Sequence, residues 1–273
     1  MSASFTPVSG TNVMQTSTEA MPNPAMNRVP EVTVDFWLIK LMAVTMGETA
    51  ADYLAVNLGL GLTATSLIMA AILIGALVLQ FGQKRYVPWS YWLAVVLISI
   101  VGTLVTDNLV DNFGVSLITT TIGFSVALAA TFALWFASEK TLSIHAIFTT
   151  KREAYYWLAI LFTFALGTAA GDLVAEHFGL GYLSTGVLFG MIIASLTFGY
   201  FFLKLDPILG FWLAYILTRP LGASFGDLLS QPAEYGGMGL GTIITSALFL
   251  TAIVAIVGYM SLKSDSRTAV VQG

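Results

Sequence analysis

The feature that most limits the fold of this chain is a 19-residue segment that occurs four times. In each copy an aromatic residue precedes Trp, a Gly follows the Trp after ten residues, and an Asp follows the Gly after five. The copies begin 55, 65 and 55 residues apart, which indicates a duplicated pair of repeats with a longer connector between the halves. The four copies are FWLIKLMAVTMGETAADYL from Phe36, YWLAVVLISIVGTLVTDNL from Tyr91, YWLAILFTFALGTAAGDLV from Tyr156 and FWLAYILTRPLGASFGDLL from Phe211.

A second apolar run follows each copy after a break that contains glycine. The breaks read GLGLTATS, GVSLITTT, GLGYLSTG and GLGTIITS, and each brings a Thr to the same position: Thr65, Thr120, Thr185 and Thr245. A helix needs about 20 apolar residues to cross a bilayer, so each repeat predicts a helical hairpin. We therefore predict an all-α membrane protein with eight transmembrane helices, arranged as four parallel two-helix repeats in two duplicated halves. The helices are expected near residues 33–56, 62–82, 89–110, 115–136, 154–176, 182–203, 208–229 and 240–261.

The composition excludes several classes of protein. Apolar residues make up 57% of the chain, charged residues make up 10%, and the mean hydropathy is +0.85, whereas a soluble domain has about 25% charged residues. The chain has no Cys and two His, His145 and His177, so thiolate chemistry and His-rich zinc sites are not expected. It has no P-loop, which argues against an ATP-driven pump. We expect no cofactor and no nucleic-acid partner.

The basic residues indicate the topology. Nine Lys and Arg residues fall in the tails and in the loops between repeats, whereas the loops inside the hairpins contain none. By the positive-inside rule we expect both termini of this multi-pass protein to be cytoplasmic, and we expect the Trp of each copy to anchor the inner interface. The predicted units are a disordered cytoplasmic tail (1–30), a first half (31–136), a cytoplasmic connector (137–153), a second half (154–261) and a cytoplasmic C-terminal tail (262–273).

The connector carries both signs of charge and joins the two halves. We expect a short amphipathic helix on the membrane surface, with Leu142, Ile144, Ile147 and Phe148 facing inward. His145 is expected in a loop.

The repeated Asp residues are the first candidates for a site. Because a hairpin returns the chain to its starting side, Asp52, Asp107, Asp172 and Asp227 are expected at one depth around a central axis, backed by the repeated Thr residues. Ionisable groups inside a membrane are costly and often mark ion pathways. Glu48 lies one turn before Asp52 on the same helix face, and no other copy has an acid there. The predicted ion-binding residues are Glu48, Asp52, Asp107, Asp172, Asp227, Thr65, Thr120, Thr185 and Thr245, with Glu48 and Asp52 as the metal ligands.

Two basic residues lie inside the predicted helices as counter-charges. Lys40 is one turn from the start of the first helix, where its side chain can extend to the interface. Arg219 lies in mid-helix and is followed by Pro220, which removes a helical hydrogen bond. Arg219 is expected either to pair with an Asp or to hold the cation site until a substrate arrives. The repeated Gly residues are interpreted as close-packing positions between helices.

The excess of carboxylates favours a cationic substrate. Oxygen ligands without thiols suit hard ions such as Mn²⁺, so the leading hypothesis is a divalent-cation transporter that exchanges metal for protons and is not an enzyme. The lipid bilayer and the cation are its expected partners. Two alternatives stay open: a non-transporting scaffold or sensor with structural Asp residues, and an intramembrane aspartyl hydrolase based on AGD at 170–172 and FGD at 225–227.

The repeated FW/YW…G…D pattern, with GETAAD in the first copy and SIHAIFTTKREAYYW between the halves, resembles an uncharacterised bacterial family of polytopic inner-membrane proteins. That family is described as a repeat of unknown function. The resemblance covers about residues 30–260 and implies a multi-pass protein of the bacterial inner membrane. It implies no activity, so the functional hypothesis depends on the residues themselves.

Overall fold

The computed structural model describes residues 26–272, with side chains as far as residue 263. The prediction of eight long helices is confirmed within this range. Short π-helical turns extend α1, α3 and α5 at their C-terminal ends, over Tyr53–Asn57, Asn108–Asn112 and Leu173–His177. The helices are α1 (Val34–Asp52), α2 (Leu62–Phe81), α3 (Pro88–Asp107), α4 (Leu117–Glu139), α5 (Thr150–Asp172), α6 (Gly181–Phe202), α7 (Pro207–Ser230) and α8 (Thr242–Gln272).

Seven of these helices, α2 to α8, are long and apolar enough to cross a membrane within the described range. The exception is α1, because every 18-residue stretch of 34–57 contains at least three charged residues. This helix packs against α3, α7 and α8, so it is surrounded by protein on several sides. The chain is therefore a multi-pass, all-α membrane protein in which α1, whose charged residues are spread along its length, packs inside the bundle.

Local sequence signals explain where the helices begin and where the hairpins turn. Side-chain oxygens cap the free N–H groups of several first turns, as Thr33 does for α1 and Asp206 does for α7. Pro207, like Pro88 in α3, occupies a first-turn position where its missing N–H costs nothing. In the first hairpin turn, Gly59 and Gly61 have φ angles of 70° and 74°, a backbone region that favours glycine.

The odd-numbered helices form a closed ring around a central axis. In this ring α1 packs against α3 and α7, and α5 packs against the same two helices. Each even helix packs chiefly on the odd helix of the following repeat: α2 on α3, α4 on α5, α6 on α7, and α8 back on α1. The last contact closes the circle, so the four repeats surround one axis.

The repeated Gly residues lie at the contacts of the inner ring, as predicted. A Cβ at any of them would lie less than 3 Å from a side-chain atom of the neighbouring odd helix. Only glycine therefore permits this spacing of the helices. The pairs are Gly47 with Ser99, Gly102 with Phe164, Gly167 with Arg219, and Gly222 with Val44.

The prediction that the repeated Trp residues anchor the interface is wrong for three of them. Trp92, Trp157 and Trp212 are 2%, 3% and 4% exposed. They are buried because the aromatic residue that begins each copy packs on the Trp of the next copy. The ring centroids are 5.7 Å apart for Phe36–Trp92, 5.4 Å for Tyr91–Trp157, 6.2 Å for Tyr156–Trp212 and 5.8 Å for Phe211–Trp37. We call this layer the aromatic end of the axis.

The connector and the N-terminal segment differ from their predictions. The connector contains a three-residue 3₁₀ turn, Ile144–Ala146, in place of an amphipathic helix. Of the four residues expected to face inward, Ile144 and Ile147 are buried and Leu142 and Phe148 are partly buried, while His145 is exposed in the turn. Residues 26–30 of the predicted disordered tail pack on the connector, where the backbone N–H of Arg28 donates to Ile147 O. Residues 1–25 of that prediction lie outside the described range.

At the other end of the chain, α8 continues to Gln272, so the predicted C-terminal tail from residue 262 is largely helical. The helix thus continues beyond residue 261, where its apolar run and the predicted helix end.

Candidate functional site

The four repeated Asp residues lie at one end of the inner ring, which we call the carboxylate end. Asp52, Asp107 and Asp172 are the last residues of α1, α3 and α5, and Asp227 lies in the last turn of α7. Each of them interacts electrostatically with Glu48. The four Asp therefore converge around the axis near Glu48.

Three carboxylates from three different helices form the most compact group. Ligand oxygens of Glu48, Asp172 and Asp227 all lie within 4.8 Å of one another. Oxygens that bind one hard cation at about 2.0–2.6 Å can be separated by this distance. Glu48 and Asp227 are 5% and 8% exposed, and Asp172 is half-buried. The geometry can hold one cation of this class.

The compact group differs from the predicted ligand pair, Glu48 with Asp52. Asp52 instead accepts a hydrogen bond from Gln231 Nε2 at 3.4 Å. Side chains four apart on one helix point in the same direction, whereas side chains on facing helices point toward each other. The compact group therefore takes its ligands from the facing helices α1, α5 and α7, and Asp52 is not one of its three members.

Arg219 joins the inner ring one layer below the carboxylates. Its Nη2 atom donates to Glu48 Oε2 at 2.8 Å, to Thr168 Oγ1 at 2.7 Å and to Thr103 Oγ1. Glu48, Thr103 and Thr168 occupy equivalent positions in the first three repeats. The fourth repeat has Ala223 there and contributes Arg219 from one turn earlier. One nitrogen thus connects all four repeats, and Arg219 pairs with the Glu rather than with an Asp.

The guanidinium of Arg219 keeps unused donors. Its side chain is fully buried, and neither Nε nor Nη1 has a hydrogen-bond partner among residues 26–263. Around it are the carboxylates of Glu48 and of the four Asp. Among the described side chains the Arg219 guanidinium forms an ion pair with Glu48 alone, so the four Asp carboxyl groups have no ion-pair partner there.

The prediction that Lys40 extends to the interface is wrong. Its side chain is fully buried. Its Nζ donates to Tyr215 O at 3.0 Å and to Thr218 Oγ1 at 2.5 Å, and it lies 3.9 Å from the centroid of the Tyr215 ring. These α7 groups solvate the ammonium inside the bundle. Among the described residues Lys40 forms no ion pair, so Arg219 is the counter-charge that meets a carboxylate.

Exposure increases along the axis toward the carboxylate end. Arg219 is fully buried, whereas Asp111 and Glu176 beyond the Asp layer are exposed. At the aromatic end, Tyr91 and Tyr156 are 0% and 1% exposed, and their hydroxyls lie 2.6 Å apart. Access to the carboxylates is therefore from the carboxylate end.

The repeated Thr residues of the even helices are buried near the starts of those helices. Thr120 and Thr245 donate to the carbonyls of Ser116 and Gly241. The hydroxyls of Thr65 and Thr185 have no hydrogen-bond partner among the residues that the structure describes. Within the described side chains no hydrogen bond joins these four Thr residues to the repeated Asp residues.

Tyr182 is a site residue that the sequence reasoning missed. It lies near the start of α6 and interacts electrostatically with Asp52, Asp172 and Asp227 and with Glu176. Its equivalents in the other repeats are Leu62, Leu117 and Thr242. This departure from the repeat pattern, like those at Glu48 and Arg219, was the signal that could have identified it.

Comparison with known proteins identifies the family but not an activity. The model of the family described as Repeat of Unknown Function (DUF347) matches residues 36–86, 90–141, 155–205 and 210–265. These four matches cover most of the chain, which therefore belongs to this family and contains four of its repeats. Searches of curated proteins and of solved structures found no match.

Proposed function

We propose that this member of the repeat family transports a small cation, which binds at the carboxylate end of the central axis. The observation that supports this most is the approach of Glu48, Asp172 and Asp227 to within 4.8 Å of one another. Buried carboxylates of like charge repel unless a cation or protons neutralise them. Arg219 supplies one positive charge, so the site needs more.

The favoured substrate is a hard divalent cation such as Mn²⁺. The group offers carboxylate oxygens from three helices, with Asp52 and Asp107 beside it. The chain has no thiol to favour a soft metal. Carboxylates that hold protons before the metal arrives release them on binding, which would couple metal transport to protons.

The described conformation gives access from one side only. Asp111 and Glu176 are exposed beside the Asp layer and would attract a cation electrostatically. The packed rings of the aromatic end would have to separate to release the cation on the other side. The distribution of basic residues favours a cytoplasmic location for both termini. In that orientation the carboxylate end would face away from the cytoplasm.

A non-transporting scaffold or sensor is the second candidate. The contacts of Arg219 Nη2 with α1, α3 and α5 favour it, because they hold the inner ring together without any substrate. An aspartyl hydrolase, based on the approach of Asp172 to Asp227, is less favoured because a third carboxylate and an arginine share the site.

Uptake of Mn²⁺ into proteoliposomes, with and without a pH gradient, tests the transport proposal. We expect saturable uptake by the wild type, loss of uptake in Asp227→Asn, and wild-type uptake in Glu31→Gln, whose carboxylate is exposed at the aromatic end. Gel filtration and thermal unfolding would show that each variant is folded. If folded wild-type protein takes up neither Mn²⁺ nor any other divalent cation tested in the same assay, the proposal is overturned in favour of the scaffold.

A further inference from the structure

We propose that Arg219 is a built-in competitor of the transported cation, and that a divalent ion binds by displacing the guanidinium from Glu48. This inference rests on the proposed function, since it concerns the same site. Glu48 is both the ion-pair partner of Arg219, at 2.8 Å, and a member of the compact carboxylate group. A metal ion on Glu48 would lie beside the guanidinium and repel it. The two cations would therefore compete for the same carboxylate.

The way Arg219 is held suits displacement. Within the part of the chain that the structure describes, all of its side-chain hydrogen bonds involve Nη2, whereas Nε and Nη1 have no partner although the side chain is fully buried. A guanidinium that is fixed permanently would be expected to use its fork of donors in bidentate contacts. When Glu48 turns to a metal ion, Thr103 and Thr168 still accept hydrogen bonds from Nη2. The guanidinium thus loses one acceptor and stays on the axis.

Arg219 has no basic equivalent in the other three repeats. At the position of Arg219 the other three repeats have Val44, Ser99 and Phe164. Next to their four symmetric Asp residues the four 19-residue copies therefore have one additional acid, Glu48, and one additional base, Arg219; the other base of these copies, Lys40, lies two turns before Glu48 on α1. Gly167 packs against the stem of Arg219 and fixes where the guanidinium lies.

A competitor with a single charge would favour divalent over monovalent ions. A monovalent ion that replaces the guanidinium at Glu48 brings no additional charge to the carboxylates. A divalent ion brings one more positive charge to a site in which carboxyl groups outnumber basic groups. Arg219 would thereby raise the selectivity of the site for divalent ions and lower its absolute affinity.

Calorimetric titration of MnCl₂ into the full-length protein in nanodiscs tests this proposal. We expect Arg219→Gln to bind Mn²⁺ about 10- to 100-fold more tightly than the wild type, the range of coupling between two sites. Lys40→Gln is the matched control, because it removes a fully buried cation that pairs with no carboxylate among the described residues. Its effect on the Mn²⁺ affinity should be much smaller. In a Glu48→Gln background, Arg219→Gln should bring no gain.

The outcomes distinguish this inference from the proposed function. If the wild type binds Mn²⁺ and folded Arg219→Gln binds it equally or more weakly, Arg219 only holds the helices of the inner ring together and the inference is wrong. If neither protein binds any divalent ion, the proposed function itself fails. Should Arg219→Gln not fold, Arg219→Lys keeps the charge but cannot reach all three acceptors at once. Tighter Mn²⁺ binding by that variant supports competition, and unchanged affinity overturns it.

Discussion

Two glutamates of this protein are buried against arginines, and their surroundings are opposite. Glu153 is fully buried and pairs with Arg28 at 2.6 Å. Its other oxygen accepts hydrogen bonds from Gln80 Nε2 at 3.0 Å and from Trp157 Nε1 at 3.3 Å. Both oxygens of this carboxylate are therefore satisfied. The pair ties the N-terminal segment to the start of α5.

Glu48 also pairs with an arginine, but its carboxylate accepts fewer hydrogen bonds than that of Glu153. One of its oxygens accepts from Arg219 and Thr103, and no hydrogen bond to the other oxygen occurs within the described residues. Four Asp residues surround it electrostatically. If Arg219 competes with a cation as proposed, this difference distinguishes a structural ion pair from an exchangeable one. The structural pair satisfies its carboxylate completely, whereas the exchangeable pair lies among surplus carboxylates and leaves donors unused.

The largest effect is expected at the structural pair. Arg28→Met leaves the buried Glu153 carboxylate without its cation, which should lower the free energy of unfolding by about 4 kcal/mol. Unfolding in mixed SDS micelles would measure it. The Mn²⁺ affinity of the folded fraction should not change, because Arg28 lies far from the carboxylate group in the fold. A loss below about 1 kcal/mol would contradict the structural role.

The next effect is expected at the exchangeable pair. Glu48→Gln removes a ligand and should weaken Mn²⁺ binding at least about 100-fold, or about 2.7 kcal/mol, as measured by titration calorimetry. Glu153→Gln is the matched control and should bind Mn²⁺ like the wild type. Equal Mn²⁺ affinities of Glu48→Gln and the wild type would contradict the view that the Glu48–Arg219 pair, unlike the Glu153–Arg28 pair, takes part in metal binding.

A smaller effect is expected where the ring packs on Arg219. Gly167→Ala places a methyl group against the Arg219 stem, and such overpacking should lower the free energy of unfolding by about 2 kcal/mol. In Gly123→Ala the new methyl group meets no atom within 4 Å, so stability should be unchanged or slightly higher. Similar stabilities for the two variants would show that the inner ring is less tightly packed than described.

The smallest effect is expected at the aromatic end. Tyr156→Phe removes the hydrogen bond between the Tyr91 and Tyr156 hydroxyls, which should cost about 1 kcal/mol of unfolding free energy without changing Mn²⁺ affinity. Tyr259→Phe, at an exposed position, is the control and should be neutral. A change in Mn²⁺ affinity in Tyr156→Phe would show that the two ends of the axis are coupled in binding.

The sequence predicted the parts of the fold that depend on periodicity. The repeat, the eight helices and the close packing at Gly47 and its equivalents follow from spacing alone. The burial of Trp92 could not be predicted this way, because its partner, Phe36, lies in another repeat and the closed ring is not visible in one hairpin. Lys40 was misplaced for the same reason, since the groups that solvate it belong to α7.

The site was predicted in its residue types but not in its pairing. Glu48 and Arg219 are the two charges that break the repeat one layer before the Asp residues, and their meeting could have been inferred from that coincidence. The Arg28–Glu153 pair could not, because 125 residues separate its members and neither lies in a repeated motif.

The central claim is that one hard cation binds between Glu48, Asp172 and Asp227. Anomalous difference density from crystals of the full-length protein soaked in MnCl₂ tests it most directly. The account predicts one strong peak within about 2.6 Å of carboxylate oxygens from all three residues, with Arg219 moved away from Glu48. A peak elsewhere, or no peak while Arg219 remains on Glu48, would contradict it.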